Sequence, residues 1–277
     1  HPTMELLLTE LVQTLLALNH KEIHDFVKSY KPQNDEVGNL RILLFGPTGA
    51  GKSSFINSVE SVIQDRICGR AGTDATSAGF SYTKKYKTYK INKGNQSHCS
   101  FVFTDTRGLE SKKGVHLEDI KLALKGHVKE GYQFDPERQL KEGDDSYNSS
   151  PSLSDKVHVL VFVVPANSIN IMSEDMPKKM RDVRLAASEM EIPQLAILTR
   201  VDEACSGLEK NINKMYKCKH LKEKFDELHL QLGVPKNCIF LVKNYTSEID
   251  TNDKMNAHIL CAIRRMINFG EDFVNNL

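Results

Sequence analysis

The sequence predicts an α/β fold, a mixed six-stranded sheet with helices on both faces, and three observations carry that expectation. Short apolar runs alternate with helix-periodic segments through residues 39–277. Most of the runs are continuous and apolar, as parallel strands buried on both faces are, whereas one alternates with lysines, as a half-exposed edge strand does. Between the first run and the first helical segment sits GPTGAGKSS, a glycine-rich turn of the kind that wraps phosphate.

In chain order, residues 5–29 read as one or two helices, with leucines 7, 11, 15 and 18 on a wide apolar face. Pro32 and Gly38 punctuate a turn-rich linker at 30–39. The expected organisation is an N-terminal helical segment with linker at 1–38 and a phosphate-binding domain at 39–277. Strands are expected at 40–45, 80–91, 100–104, 157–164, 195–198 and 239–242, with 80–91 the antiparallel edge. Helices are expected at 52–63, 118–129, 174–190, 208–232 and 253–269. The polar, turn-rich stretch 134–156 breaks this rhythm and reads as a mobile surface loop.

The totals exclude several classes. A chain of 277 residues is long for one domain but within its range. A net charge of +1 argues against general nucleic-acid binding, and none is expected. The longest apolar stretch, 6–18, is interrupted by Thr9, Glu10 and Gln13 and is too short to span a bilayer, so no transmembrane segment is expected. The six cysteines form no C-x-x-C pair and no zinc spacing, which reads as reduced, mostly buried thiols in a cytoplasmic protein.

Gly46-x-x-x-x-Gly51-Lys52-Ser53 fits the P-loop pattern. Glycines let the backbone curl so that the N–H groups of Thr48, Gly49, Ala50 and Gly51 turn inward onto phosphate. Lys52 neutralises the β- and γ-phosphates, Ser53 ligates Mg²⁺, and Ser54 lies in the first turn of a helix whose positive end faces the anion. A second motif separates GTP from ATP. Thr199-Arg200-Val201-Asp202 closes an apolar run and resembles the [NT]-K-x-D element of GTPases. There a carboxylate accepts from guanine N1–H and the 2-amino group, a donor pair adenine lacks. A buried Asp202 is expected in that role, with the Arg200 stem packed over the base. A third motif, Asp105-x-x-Gly108, offers a carboxylate that holds Mg²⁺ through water and a glycine N–H for the γ-phosphate. Their order in the chain is that of a Ras-like G domain. Thr76 is the first choice for a switch threonine on Mg²⁺, with Thr73 and Ser77 as alternatives. After the last strand, either Asn244 or the backbone near Lys243 is expected at the guanine.

Beyond the nucleotide motifs, RILLFGPTGAGKSSFINSV, KYKTY, YQF, SPSLSDKVH, LTRVD and an NY followed by an acidic loop resemble the GTP-binding domain of the interferon-induced protein 44 and 44-like family, over roughly 30–277. The resemblance implies a cytoplasmic GTP/GDP-binding protein of innate antiviral defence. In that family the domain can follow a TLDc-type domain, which residues 1–29 are too few to hold; a short form or a piece of a longer protein is expected. Arg107 departs from the family's Asp-Ser-Met-Gly.

Catalysis is left open by the sequence. Where Ras-like enzymes carry a water-orienting Gln, this chain has Leu109 followed by Glu110. Three readings follow: a GTPase that draws its catalytic group from Glu110, Arg107 or a partner; a nucleotide-binding switch or scaffold with negligible turnover; and an ATP-using P-loop protein. A homodimer through the nucleotide face, formed by 73–77 and 107–113, is the partner expectation, beside a protein effector that the sequence does not identify.

Overall fold

The computed structural model describes residues 20–69, 85–106, 115–167, 175–208 and 211–277. Its six strands are β1 (Leu40–Phe45), β2 (Tyr86–Gly94), β3 (Ser97–Thr106), β4 (Val159–Pro165), β5 (Gln194–Thr199) and β6 (Ile239–Leu241). They form one sheet in the order β2-β3-β1-β4-β5-β6. β2 is antiparallel to β3 and every other pairing is parallel, so the mixed sheet with one antiparallel edge is as the sequence predicts. The helices are α1 (His20–Ser29), α2 (Lys52–Gln64), α3 (Leu117–Leu124), α4 (Asp175–Glu189), α5 (Val201–Ala204), α6 (Lys219–Leu232) and α7 (Asp253–Val274). Helices α1, α2 and α7 pack together on one face, and α3, α4 and α6 on the other.

Central strand β4, VLVFVVP, is buried along its whole length because both sheet faces are covered. Phe162 meets Phe45 edge-on at 6.2 Å, and Phe55 of α2 meets Phe103 of β3 at 5.9 Å. Each such ring contributes about 1.5–3 kcal/mol by leaving water. Edge strand β2 keeps Lys87 and Lys90 in solvent, as a strand with one open side does, while Lys93 is half-buried and donates to Lys28 O at 3.4 Å. Ile23 and Val27 of α1 and the following Tyr30 join the same core, and the Tyr30 hydroxyl donates to Glu271 of α7.

Two predicted helices are shorter or broken. The one expected at 118–129 stops at Leu124, because Gly126 takes a left-handed φ of 85° with the backbone of Asp155 against it. The one expected at 208–232 is divided into a 3-10 helix, Ile212–Lys217, and α6, with Cys218 extended between them. The stretch 134–156 is turn-rich as expected but is fastened rather than loose. Asn148 N–H donates to His127 O, Lys129 N–H to Ser146 O, and Leu140 N–H to the buried carboxylate of Asp119. Its Phe134 and Leu140 are buried, which the polar composition concealed.

Two buried histidines make the fold acid-sensitive. His158 Nδ1 accepts from Arg41 N–H at 2.8 Å and its Nε2 donates to Leu153 O at 2.7 Å. His258 Nδ1 accepts from the Tyr216 hydroxyl at 2.6 Å and its Nε2 donates to Asn213 Oδ1 at 3.1 Å. Burial pushes both from their ordinary 6.5 down to about 4. The unfolded chain therefore binds two protons that the folded chain refuses. Stability is full above pH 6.5 and falls as the pH drops toward 4, by at most about 3 kcal/mol per histidine. Urea unfolding across that window is expected to show this loss, and a flat profile contradicts it.

Candidate functional site

The phosphate loop runs from the end of β1 to the start of α2 across the C-terminal edge of the sheet, where α/β folds place ligands. Only glycine fits at its first position: a Cβ on Gly46 would lie 2.0 Å from Val163 O of β4. Gly49 and Gly51 adopt φ values of 74° and 91°, the left-handed region that side chains disfavour. Gly51 is also the residue before α2, so the curl of the loop delivers the chain into the helix.

Lys52 is 5% exposed. Its ammonium donates to Gly46 O at 2.6 Å and Pro47 O at 3.0 Å, so its charge sits within the curl of the loop. Beside it Ser53 Oγ donates to Asp105 Oδ2 at 3.3 Å, and both residues are buried. Asp105 stands at the end of β3, adjacent to β1 in parallel register, and this places the two motifs together. A buried hydroxyl and a carboxylate side by side at a phosphate loop are hard oxygen donors that fit Mg²⁺. Thr48 is exposed and Ser54 half-buried.

The second motif is attached to the loop directly. Thr199, fully buried, donates from Oγ1 to Ala50 O at 2.5 Å. From beyond β6, Asn244 Nδ2 donates to Gly51 O at 3.2 Å, while its Oδ1 is buried without a hydrogen-bond partner. Two strand ends therefore hold the loop from the same side. Arg200 adopts a left-handed φ of 54°, a conformation that costs a non-glycine residue about 1–3 kcal/mol, and turns the chain from β5 into α5. Its Nη2 lies beside Gly49, and its Nη1 pairs with Glu203 at 3.3 Å.

Asp202 lies in the first turn of α5. It is half-buried, with its side chain 33% exposed, rather than enclosed as expected, because α5 is a single turn at the sheet's rim. Its Oδ2 is 4.0 Å from Lys243 Nζ, which also pairs with Glu248 at 2.9 Å. Burial opposes the charge on Glu248, yet the Thr246 N–H and Lys243 hold its carboxyl below the usual range. The bridging lysine was missed as a side chain, since a single lysine beside an acidic loop carries no spacing signal. Thr76 and Gly108 lie outside the described residues, as do Thr73, Ser77, Arg107, Leu109 and Glu110.

Strand order, the loop between β1 and α2, and the two strand ends fastened to it define a P-loop NTPase fold of the Ras-like type. No family model matches the chain. It is 34% identical over 259 residues to interferon-induced protein 44 of Pan troglodytes and of Homo sapiens, matching 93% of this chain and 58% of each relative. It is 33% identical over 256 residues to interferon-induced protein 44-like of Homo sapiens, matching 91% of this chain and 56% of that one. Over these residues the chain is homologous to the interferon-induced protein 44 and 44-like proteins, the family its sequence resembles. It spans a little over half the length of those relatives. A solved structure titled as a probable GTP-binding protein engB aligns with a TM-score of 0.42 at 14% identity, covering 86% of this chain and 100% of that one, too slight a likeness to add to the argument. Among the described residues, no helix is long and apolar enough to cross a membrane.

Proposed function

We propose that the domain at 39–277, with 1–38 as its N-terminal helical segment, is a guanine-nucleotide-binding switch that holds GTP or GDP with Mg²⁺. The observation that carries this reading is the bond from Thr199 to Ala50, which fixes the Thr199–Asp202 motif to the phosphate loop. A nucleotide whose phosphates lie in the loop then has its base at Asp202. In this reading Gly46 and Thr48–Gly51 offer backbone donors, Lys52 carries the balancing charge, and Ser53 and Asp105 would hold the metal, which screens phosphate charge. Thr76 and Gly108 complete the set as switch residues. Asn244 acts by fastening Gly51, and its buried Oδ1 supplies one further acceptor beside the base.

The family names support a role in the interferon response, and we place the protein in cytoplasmic innate antiviral defence, with a protein effector of its own. Turnover is slow in this account, because Leu109 can neither donate to nor accept from water. A scaffold without significant hydrolysis is the second reading, favoured by that same leucine. Single-turnover assays with GTP and ATP at rising protein concentration test the proposal. The isolated monomer is expected to cleave GTP at or below about 10⁻⁴ s⁻¹, the scale of unassisted Ras, and to leave ATP intact. Specific activity that rises with concentration supports a homodimer meeting across the nucleotide face through 73–77 and 107–113. Specific activity that stays flat removes the dimer, and background turnover throughout favours the scaffold. Cleavage of ATP in preference to GTP contradicts the proposal.

A further inference from the structure

Strands β5 and β6 run parallel, with Leu198 beside Leu241, so the segments that leave them emerge side by side. Asp202 follows the first and Lys243 the second. The Lys243 side chain is only 17% exposed, and its ammonium pairs with Glu248 Oε1 at 2.9 Å. Asp202 Oδ2 lies 4.0 Å from the same ammonium, too far for a hydrogen bond. Among the described residues, no hydrogen bond reaches the Asp202 carboxylate. With one N–H turned to Glu248, the ammonium keeps two more to give. An open donor and an open pair of acceptors therefore stand next to each other without being joined.

The loop that carries this lysine is fixed at several points. Glu248 Oε2 accepts from Thr246 N–H at 2.8 Å and from Ser247 N–H at 3.1 Å, which holds the carboxylate that holds Lys243. Tyr245 N–H donates to Ser58 Oγ of α2 at 2.9 Å. The Tyr245 hydroxyl donates to Asn256 Oδ1 of α7 at 2.7 Å and accepts from Asn252 N–H at 2.6 Å. Helix α2 opens from the phosphate loop, so one helix anchors the phosphate loop and the loop of Lys243 together. The ammonium is thus placed before any ligand arrives, and little side-chain freedom is lost when it makes a further bond. Balancing Glu248 alone would not require it to stand beside Asp202.

We propose that the Lys243 side chain is a specificity-determining group that donates to the 6-oxygen of the base, beside the Asp202 acceptors. This deepens the guanine-binding reading of the same site and rests on it. Guanine presents the O6 acceptor, then the N1–H and 2-amino donors, along one edge. Lys243 and Asp202 offer donor, acceptor, acceptor, the complement of that row. Adenine presents a 6-amino donor and an N1 acceptor, so its donor would face the ammonium and its acceptor the carboxylate. Both contacts are then reversed. Asp202 supplies one of these mismatches and Lys243 the other, so adenine is rejected as well as guanine accepted.

Titration with GDP, ADP and 6-thio-GDP, each in Mg²⁺, tests this in the unmodified protein and in Lys243→Met. The thio analogue keeps both donors of guanine and replaces only O6, by a sulfur that accepts weakly. The unmodified protein is expected to bind it severalfold less tightly than GDP. Lys243→Met is expected to weaken GDP about tenfold, the loss of a bond from a charged donor, and to bring GDP and the thio analogue to nearly equal affinity. Lys243→Arg keeps a donor and is expected to restore the preference for GDP. Thermal unfolding checks each variant, and Lys243→Ala carries the same comparison if the methionine does not fold. If the variant weakens GDP and the thio analogue alike and the preference between them persists, the lysine only supports its loop and the proposal is overturned. An unchanged GDP affinity overturns it too. If the unmodified protein binds GDP no better than ADP, the guanine reading itself has failed. A preference for GDP over ADP together with either overturning result removes Lys243 alone.

Discussion

Replacing Lys52 by alanine is expected to remove nucleotide binding almost entirely. Its ammonium is the charge buried within the curl of the phosphate loop, held there by the carbonyls of Gly46 and Pro47. A phosphate chain brought into that curl without it meets backbone dipoles alone. Truncating one partner of a buried charge pair costs about 2–5 kcal/mol, which is roughly thirtyfold or more in Kd. Filter binding or fluorescence titration of Lys52→Ala with GTP and GDP measures this, and thermal unfolding of the same variant shows that the loop still folds. Ser53→Asn is the milder companion: the fold and GDP binding persist, and GTP is disfavoured because the hydroxyl beside Asp105 is gone. Undiminished Mg²⁺-dependent GTP binding by Lys52→Ala would remove this loop from the site.

Asp202→Ala is expected to weaken GTP and GDP at least tenfold while leaving weak ATP binding where it was. The reason is the donor pair on guanine, N1–H and the 2-amino group, which would have no acceptor once the carboxylate is removed. Leaving a buried donor unpaired costs about 1–3 kcal/mol. Asp202 is half-buried at the rim of the sheet and shares its neighbourhood with Lys243. Part of the effect is therefore felt as Lys243 turns wholly to Glu248, already 2.9 Å away. Competition of a fluorescent GDP analogue against GDP and ADP checks both parts at once. An unaltered GDP affinity in Asp202→Ala takes Thr199–Asp202 out of base recognition.

The parts of the fold that were legible in the sequence were those whose signal is local. The continuous apolar runs of β1, β4 and β5 are buried strands because helices cover both faces. Lysine alternation marked β2 as the open edge. The phosphate loop was legible because its glycines answer to backbone constraints: Gly46 abuts Val163 O, and Gly49 and Gly51 take left-handed angles. What escaped the sequence depends on partners far along the chain. Thr199 and Asn244 reach the loop from 149 and 193 residues away, and no spacing rule announces such bonds. The stretch 134–156 looked loose because its polar composition hides two buried anchors, Phe134 and Leu140. Cys218 broke the expected long helix although nothing in its neighbours forbids one; the interruption comes from packing of the 3-10 helix, whose Ile212 and Met215 are buried.

In the proposed guanine-nucleotide site, the phosphate loop and a base-reading carboxylate are fastened to each other by the bond from Thr199 to Ala50. Calorimetric titration of the unmodified protein with GDP and with ADP, each in Mg²⁺, tests it most directly. Saturable binding of GDP is expected, with affinity for ADP weaker by at least one order of magnitude, the cost of the unmet carboxylate being about 1–3 kcal/mol. Equal affinity for the two nucleotides, or tighter binding of ADP, would contradict it.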